Sequence, residues 1–184
     1  MKSPAVFFSL LMAVGLPGCS SSDSSVAQEP AASAAAQTSR PEDAQEAGDI
    51  AAMAADPRLV VVHKNETCGC CHLWVEHMEK NGFKVTVRNV ADLGGIKERV
   101  GVPAGMGSCH TARVGGYFIE GHVPAADIAR LLDEKPDAKG LTVPGMPLGS
   151  PGMEVASGET QAYDVHLVAR DGATSVFASH GGAR

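Results

Sequence analysis

From residue 58 onward the apolar positions recur with two periods. Residues 58–64 (Arg-Leu-Val-Val-Val-His-Lys) form a nearly unbroken β-branched run, the pattern of a strand buried on both faces. The period then changes. Cys71, Trp74, Val75 and Met78 fall at i, i+3, i+4 and i+7, which puts them on one face of a helix, and Asn81-Gly82 supplies its stop. Alternation returns in residues 84–88 as a second strand, and residues 91–100 read as a short second helix. A Gly- and Pro-rich loop leads to strands at 111–114 and 117–119, turned by Gly115-Gly116. A helix over 124–134 directs Ile128, Leu131 and Leu132 inward. Residues 143–155 form a Pro/Gly/Met loop, and a last hairpin runs over 163–168 and 174–177 around Asp171-Gly172.

Strand, cysteine turn, helix, strand, helix, hairpin, helix is the order of a thioredoxin-like α/β domain. The expected fold is a mixed sheet flanked by helices, with an extra C-terminal hairpin. Residues 57–184, about 128 in all, suffice for one core. Residues 20–56 are Ser, Ala, Gln, Glu and Pro with almost no large apolar side chain. They predict a disordered tether, at most transiently helical near Ile50.

Residues 1–19 carry Lys2, a short apolar run over 5–14 and the box Leu16-Pro17-Gly18-Cys19. This pattern is a signal peptide ending in a lipobox, with Cys19 as the lipidated first residue of the mature chain. The expectation is an exported protein of the bacterial cell envelope, periplasm-facing and anchored only through lipid on Cys19. The net charge of −6 argues against nucleic acid as a partner.

Setting Cys19 aside leaves Cys68, Cys70, Cys71 and Cys109, three of them within four positions. In an oxidising compartment the default is two disulfides. Adjacent Cys70 and Cys71 pair poorly, and Cys68 lies only three residues from Cys71, so clustered thiolates are the expectation instead. A turn entering a helix N-terminus favours thiolate over thiol through exposed N–H groups and the dipole. Thiolate and thioether are soft ligands that select Cu(I). In a thioredoxin-like fold the loop before the third strand packs beside this turn. Here that loop holds Met106, Cys109 and His110, adding a thioether, a thiolate and an imidazole.

Cys68-Gly69-Cys70-Cys71, Gly101-Val102-Pro103, Ser108-Cys109-His110-Thr111-Ala112, Gly121-His122-Val123-Pro124 and the run from Gly145 to Glu154 together resemble the CopG family of bacterial copper-resistance proteins. The resemblance spans the chain from residue 58 onward. It implies a thioredoxin-like fold and a cysteine-bridged cluster of several copper ions on Cys68, Cys70, Cys71 and Cys109. It also implies a redox role, interconverting Cu(I) and Cu(II) in copper resistance. The expected partners are copper ions and other periplasmic copper-handling proteins.

Met106 and His110 are further ligand candidates, as are Met146 and Met153, which flank residues 147–152 in a loop with little core to fill. Met78 and Trp74 read as core, His72 and His77 as solvated, His63 and His122 as ambiguous strand residues. Three other readings use the same residues. A thiol–disulfide oxidoreductase would pair Cys68 with Cys71. A copper store or chaperone would need the same soft ligands without turnover. Cys68 to His72 also fits the Cys-x-x-Cys-His haem attachment pattern, in which Cys70 would be a stray thiol.

Overall fold

The computed structural model describes residues 41–182. The signal segment, Cys19 and the tether up to residue 40 lie outside the described residues. The β-branched run becomes β1 (Leu59–Lys64), and its Val60, Val61 and Val62 are all buried. Such a strand needs cover on both faces. One face receives α2 (Gly69–Lys80), which buries Cys71, Trp74, Val75 and Met78, the set the helical period selects. Trp74 also donates its indole N–H to the Val123 carbonyl at 2.9 Å, which satisfies the one polar atom of a fully buried side chain.

The rest of the chain follows as β2 (Lys84–Asn89), α3 (Gly94–Val100), β3 (His110–Val114), β4 (Tyr117–Glu120), α4 (Ala125–Glu134), β5 (Ala138–Thr142), β6 (Tyr163–Ala169) and β7 (Thr174–His180). The sheet order is β2-β1-β3-β4-β5-β6-β7. β1 pairs parallel with β2 and antiparallel with β3, and β3 pairs antiparallel with β4. These four strands with α2, α3 and α4 are the thioredoxin-like core, and the β6-β7 hairpin extends the sheet beyond it.

β5 has no signal in the hydrophobic pattern, because Lys139 and Gly140 interrupt it. The strand nevertheless pairs parallel with β4. A Cβ on Gly140 would stand 2.0 Å from the Phe118 carbonyl oxygen, so a residue poor in strand propensity is what lets the two backbones approach.

The tether expectation fails for residues 41–55. They form α1 (Pro41–Ala55), which covers the sheet face opposite α2, over Val61, His63, Val87 and Arg113. Met53 is buried, Asp49 takes two bonds from the Arg88 guanidinium at 2.7 and 3.2 Å, and Glu46 accepts from Arg113 at 2.8 Å. Composition counts apolar residues and misses this segment. Its anchors are one methionine and two carboxylates whose partners lie on strands far along the chain. Among the described residues no helix is long and apolar enough to cross a membrane.

Candidate metal centre

The turn after β1 is set by Asn65, whose side-chain oxygen accepts from the Thr67 N–H at 3.0 Å and the Thr67 hydroxyl at 2.8 Å. Cys68 follows as the extended N-cap of α2 (φ −74°, ψ 99°), and Cys70 and Cys71 sit in the first helical turn. Cys68 and Cys71 are joined as a disulfide. The expectation was four clustered thiolates; in this form two of the four, Cys68 and Cys71, are paired with each other. An N-cap and the third helical residue stand 5.4 Å apart at Cα, within the roughly 4.4–6.8 Å that a disulfide spans, so three residues of separation suffice once the helix forms. Cys70 and Cys109 are free.

All four sulfurs nevertheless converge, lying within 4.8 Å of one another. Cys70 Sγ is 3.5 Å from Cys68 Sγ, and Cys109 Sγ is 3.4 Å from Cys71 Sγ and 3.9 Å from Cys70 Sγ. Cys109 precedes β3, and the antiparallel pairing of β3 with β1 carries it to the cysteine turn.

A second cluster shares Cys109 and adds His110 and His122. His122 Nε2 lies 3.0 Å and His110 Nδ1 3.4 Å from the Cys109 sulfur. Both rings are fully buried. His122 Nδ1 lies 2.8 Å from the Pro151 carbonyl, an acceptor only, so Nδ1 carries the proton and Nε2 presents a lone pair to the cysteines. His110 packs against Trp74 at 4.5 Å and edge-on to His122 at 5.1 Å, and its Nε2 is buried with no hydrogen-bond partner.

Protonation follows from burial. Desolvation lowers both histidines, His110 well below its ordinary range, keeping them neutral and fit to bind metal. The Cys109 thiol is pushed up to about 12, first by burial and then by the charge of Cys70. Cys109 is not part of α2, whose N-terminus favours thiolate, and burial favours its protonated form.

The 143–153 loop closes over the cysteine turn. A Cβ on Gly152 would meet the Cys70 carbonyl at 2.6 Å and the Trp74 nitrogen at 2.8 Å, at a φ of +84°. This loop delivers the Pro151 carbonyl to His122. Met146 is half exposed, and Met106 and Met153 are partly buried in the loops on either side. The contacts that define the centre are made by sulfur of cysteine and nitrogen of histidine, and they do not single out any of the three thioethers. His72 is exposed beside Glu76 at 3.4 Å. His77 is half-buried instead of solvated, and its Nε2 accepts the Ala125 N–H at 3.1 Å to cap α4.

The residue the sequence reading missed is His122. Its signal was the Gly121-His122-Val123-Pro124 run. The ambiguity came from assigning it to a strand, whereas it lies two residues past β4, in the turn to α4.

Fold and site together define a thioredoxin-like domain with a cysteine- and histidine-rich centre that could hold a metal ion. Residues 106–153 match the family described as "Protein of unknown function, DUF411". Two solved structures, forms 1 and 2 of "Copper resistance protein copG", are each 50% identical to this chain, with TM-scores of 0.65 and 0.64. They cover 69% and 67% of this chain and 100% and 98% of their own. No curated protein gives a significant match. The chain belongs to the CopG family of copper resistance proteins.

Proposed function

We propose that this chain binds several copper ions through Cys68, Cys70, Cys71 and Cys109, with His122 and His110 as imidazole donors, and interconverts Cu(I) and Cu(II). The observation that carries the reading is the convergence of four partly buried sulfurs, one of which, Cys109, also meets the His122 Nε2 lone pair. The donor set fits: thiolate and neutral imidazole suit copper, whereas hard cations prefer oxygen. His110 Nε2, buried without a partner, is a further donor that no protein group satisfies.

The Cys68–Cys71 disulfide supplies the redox half of the reading. Two thiolates joining into a disulfide release two electrons, which reduce two Cu(II) to two Cu(I). Reopening the bond takes two electrons from an external reductant and restores both ligands. Cys70, Cys109 and the histidines remain as donors in both states. The setting is the periplasm-facing bacterial envelope, among other copper-handling proteins, supported by the signal and lipobox pattern of residues 1–19. Met106, Met146 and Met153 remain thioether candidates from the loops around the centre.

Metal analysis of anaerobically reduced protein tests the proposal. More than one copper per chain, reduced by Cys70→Ser, is the expected result; one copper or fewer, or no effect of the substitution, ends the cluster reading. Reduction of added Cu(II) by the dithiol form, with one Cys68–Cys71 disulfide formed per two Cu(I), separates turnover from a store or chaperone. The disulfide also favours a second reading, a thiol–disulfide oxidoreductase. Insulin reduction that survives Cys109→Ala would support that reading.

A further inference from the structure

Behind the centre lies a buried charge that the metal reading does not use. Glu120, at the end of β4, is the one acidic side chain with no exposed surface among the described residues. A carboxylate in such a place is costly unless every lone pair finds a donor. Its Oε1 accepts the backbone N–H of Ser108 at 2.6 Å and pairs with the Lys97 ammonium from α3. Its Oε2 accepts the Thr111 hydroxyl at 2.7 Å, and that hydroxyl in turn accepts from Lys97 at 3.0 Å.

Two of these donors flank Cys109 in the chain: Ser108 immediately before it and Thr111 two residues after. The approach is close, for a Cβ on Gly121, at φ +72°, would lie 2.5 Å from the Ser108 side chain. One carboxylate on the neighbouring strand thus holds both shoulders of the residue whose sulfur lies 3.4 Å from Cys71 Sγ. An apolar side chain could fill the space but could not accept the Ser108 N–H.

The geometry assigns Glu120 as the positioning residue of Cys109. Through Ser108 and Thr111 it fixes the distance between the Cys109 sulfur and the cysteine turn. Its hydrogen-bond partners are Lys97, Ser108 and Thr111, and no cysteine is among them. Its importance for copper rests on the proposed ligand role of Cys109, whereas its effect on sulfur placement does not. Glu120→Gln keeps the shape but offers one acceptor oxygen where the native group uses both, and its NH2 must face a donor.

The test is cross-linking in the full chain carrying Cys68→Ser, which frees Cys71 to pair with Cys109. Diamide is the oxidant, and Cys71–Cys109 peptides are quantified by mass spectrometry. Adding Glu120→Gln should slow that cross-link at least tenfold while the cooperative thermal transition is retained. Thr111→Val, which removes one arm, should slow it by a smaller factor and decides the question if Glu120→Gln does not fold. Cross-linking within twofold of the parent in a folded variant overturns the assignment. In parallel, Cu(I) competition against a chromophoric chelator, with the four native cysteines present, should show at least tenfold weaker binding for Glu120→Gln. If the wild-type chain binds no copper, the functional proposal fails while the cross-linking rate still decides the role of Glu120.

Discussion

The imidazole of His122 meets the sulfur of Cys109 at 3.0 Å through Nε2, while its Nδ1 is held 2.8 Å from the Pro151 carbonyl. The contact joins the turn before α4 to the loop before β3, and the 143–153 loop fixes which nitrogen faces the cysteines. A buried neutral imidazole with its far nitrogen already bonded is oriented before any metal arrives.

His122→Phe should therefore weaken Cu(I) binding by at least about tenfold, since loss of even an outer partner of a ligand typically costs that much. Chelator competition measures it. Unchanged affinity in the folded variant would make His122 a spectator.

Opening the disulfide should change both thiol count and metal capacity. Reduction is expected to raise the titratable thiols by two, from Cys68 and Cys71, and to increase the copper bound per chain. Thiol titration and metal analysis before and after reduction check this. Equal capacity in both states would show that the pair is not part of the centre.

The Cys109 thiol gives a pH dependence with a defined sign. Its folded pKa is pushed up to about 12 by burial and by Cys70, whereas an unfolded cysteine ionises near ~8.5. Above ~8.5 the unfolded chain binds fewer protons than the folded one. This contribution is therefore fully present below that pH and is lost as pH rises through about 12. Tyr163, also pushed up to about 12 by burial, acts with the same sign above its ordinary range. Denaturant midpoints of the metal-free protein should fall across this alkaline window, and less steeply in Cys109→Ala. Parallel profiles would refute the assignment. Copper binding must displace the Cys109 proton, so affinity should rise with pH through neutrality.

Gly152→Ala should destabilise the fold by about 2 kcal/mol, because it combines a left-handed φ with a Cβ driven into the Cys70 carbonyl. Chemical denaturation with the disulfide intact measures it, and copper affinity should fall too, as the loop carries the Pro151 contact to His122. A stability within 0.5 kcal/mol of wild type, roughly the scatter of neutral surface changes, would mean the loop yields easily.

On the opposite face, Asp49→Ala removes the partner of Arg88 and one tie of α1 to the sheet. The expected cost is about 1–2 kcal/mol, typical of a charge-assisted hydrogen-bonded pair that is partly shielded. Copper stoichiometry should not change, because α1 lies across the sheet from α2. Limited proteolysis should show faster cleavage within residues 41–55. No change in either stability or cleavage would mean α1 is held by Met53 and the Glu46–Arg113 pair without help from Asp49.

Local physics made most of the core legible. Three valines in a row need burial on both faces, the 3.6 period of Cys71, Trp74, Val75 and Met78 fixes one helix face, and paired glycines make turns; each signal lies within a few residues of the element it specifies. The four cysteines were likewise readable as a group, because three sit in one turn and the topology returns the fourth beside them. Features built from distant partners were not. α1 depends on Arg88 and Arg113, β5 on a backbone approach that only Gly140 permits, and His122 on Cys109 and Pro151. The Cys68–Cys71 disulfide required the helix that brings an N-cap and its third residue within bonding range. Residue types and spacing determined that sulfur chemistry belongs here. Only tertiary structure decided which sulfurs are joined, which nitrogen faces them and how tightly Cys109 keeps its proton, because each depends on burial and on contacts between segments far apart in the chain.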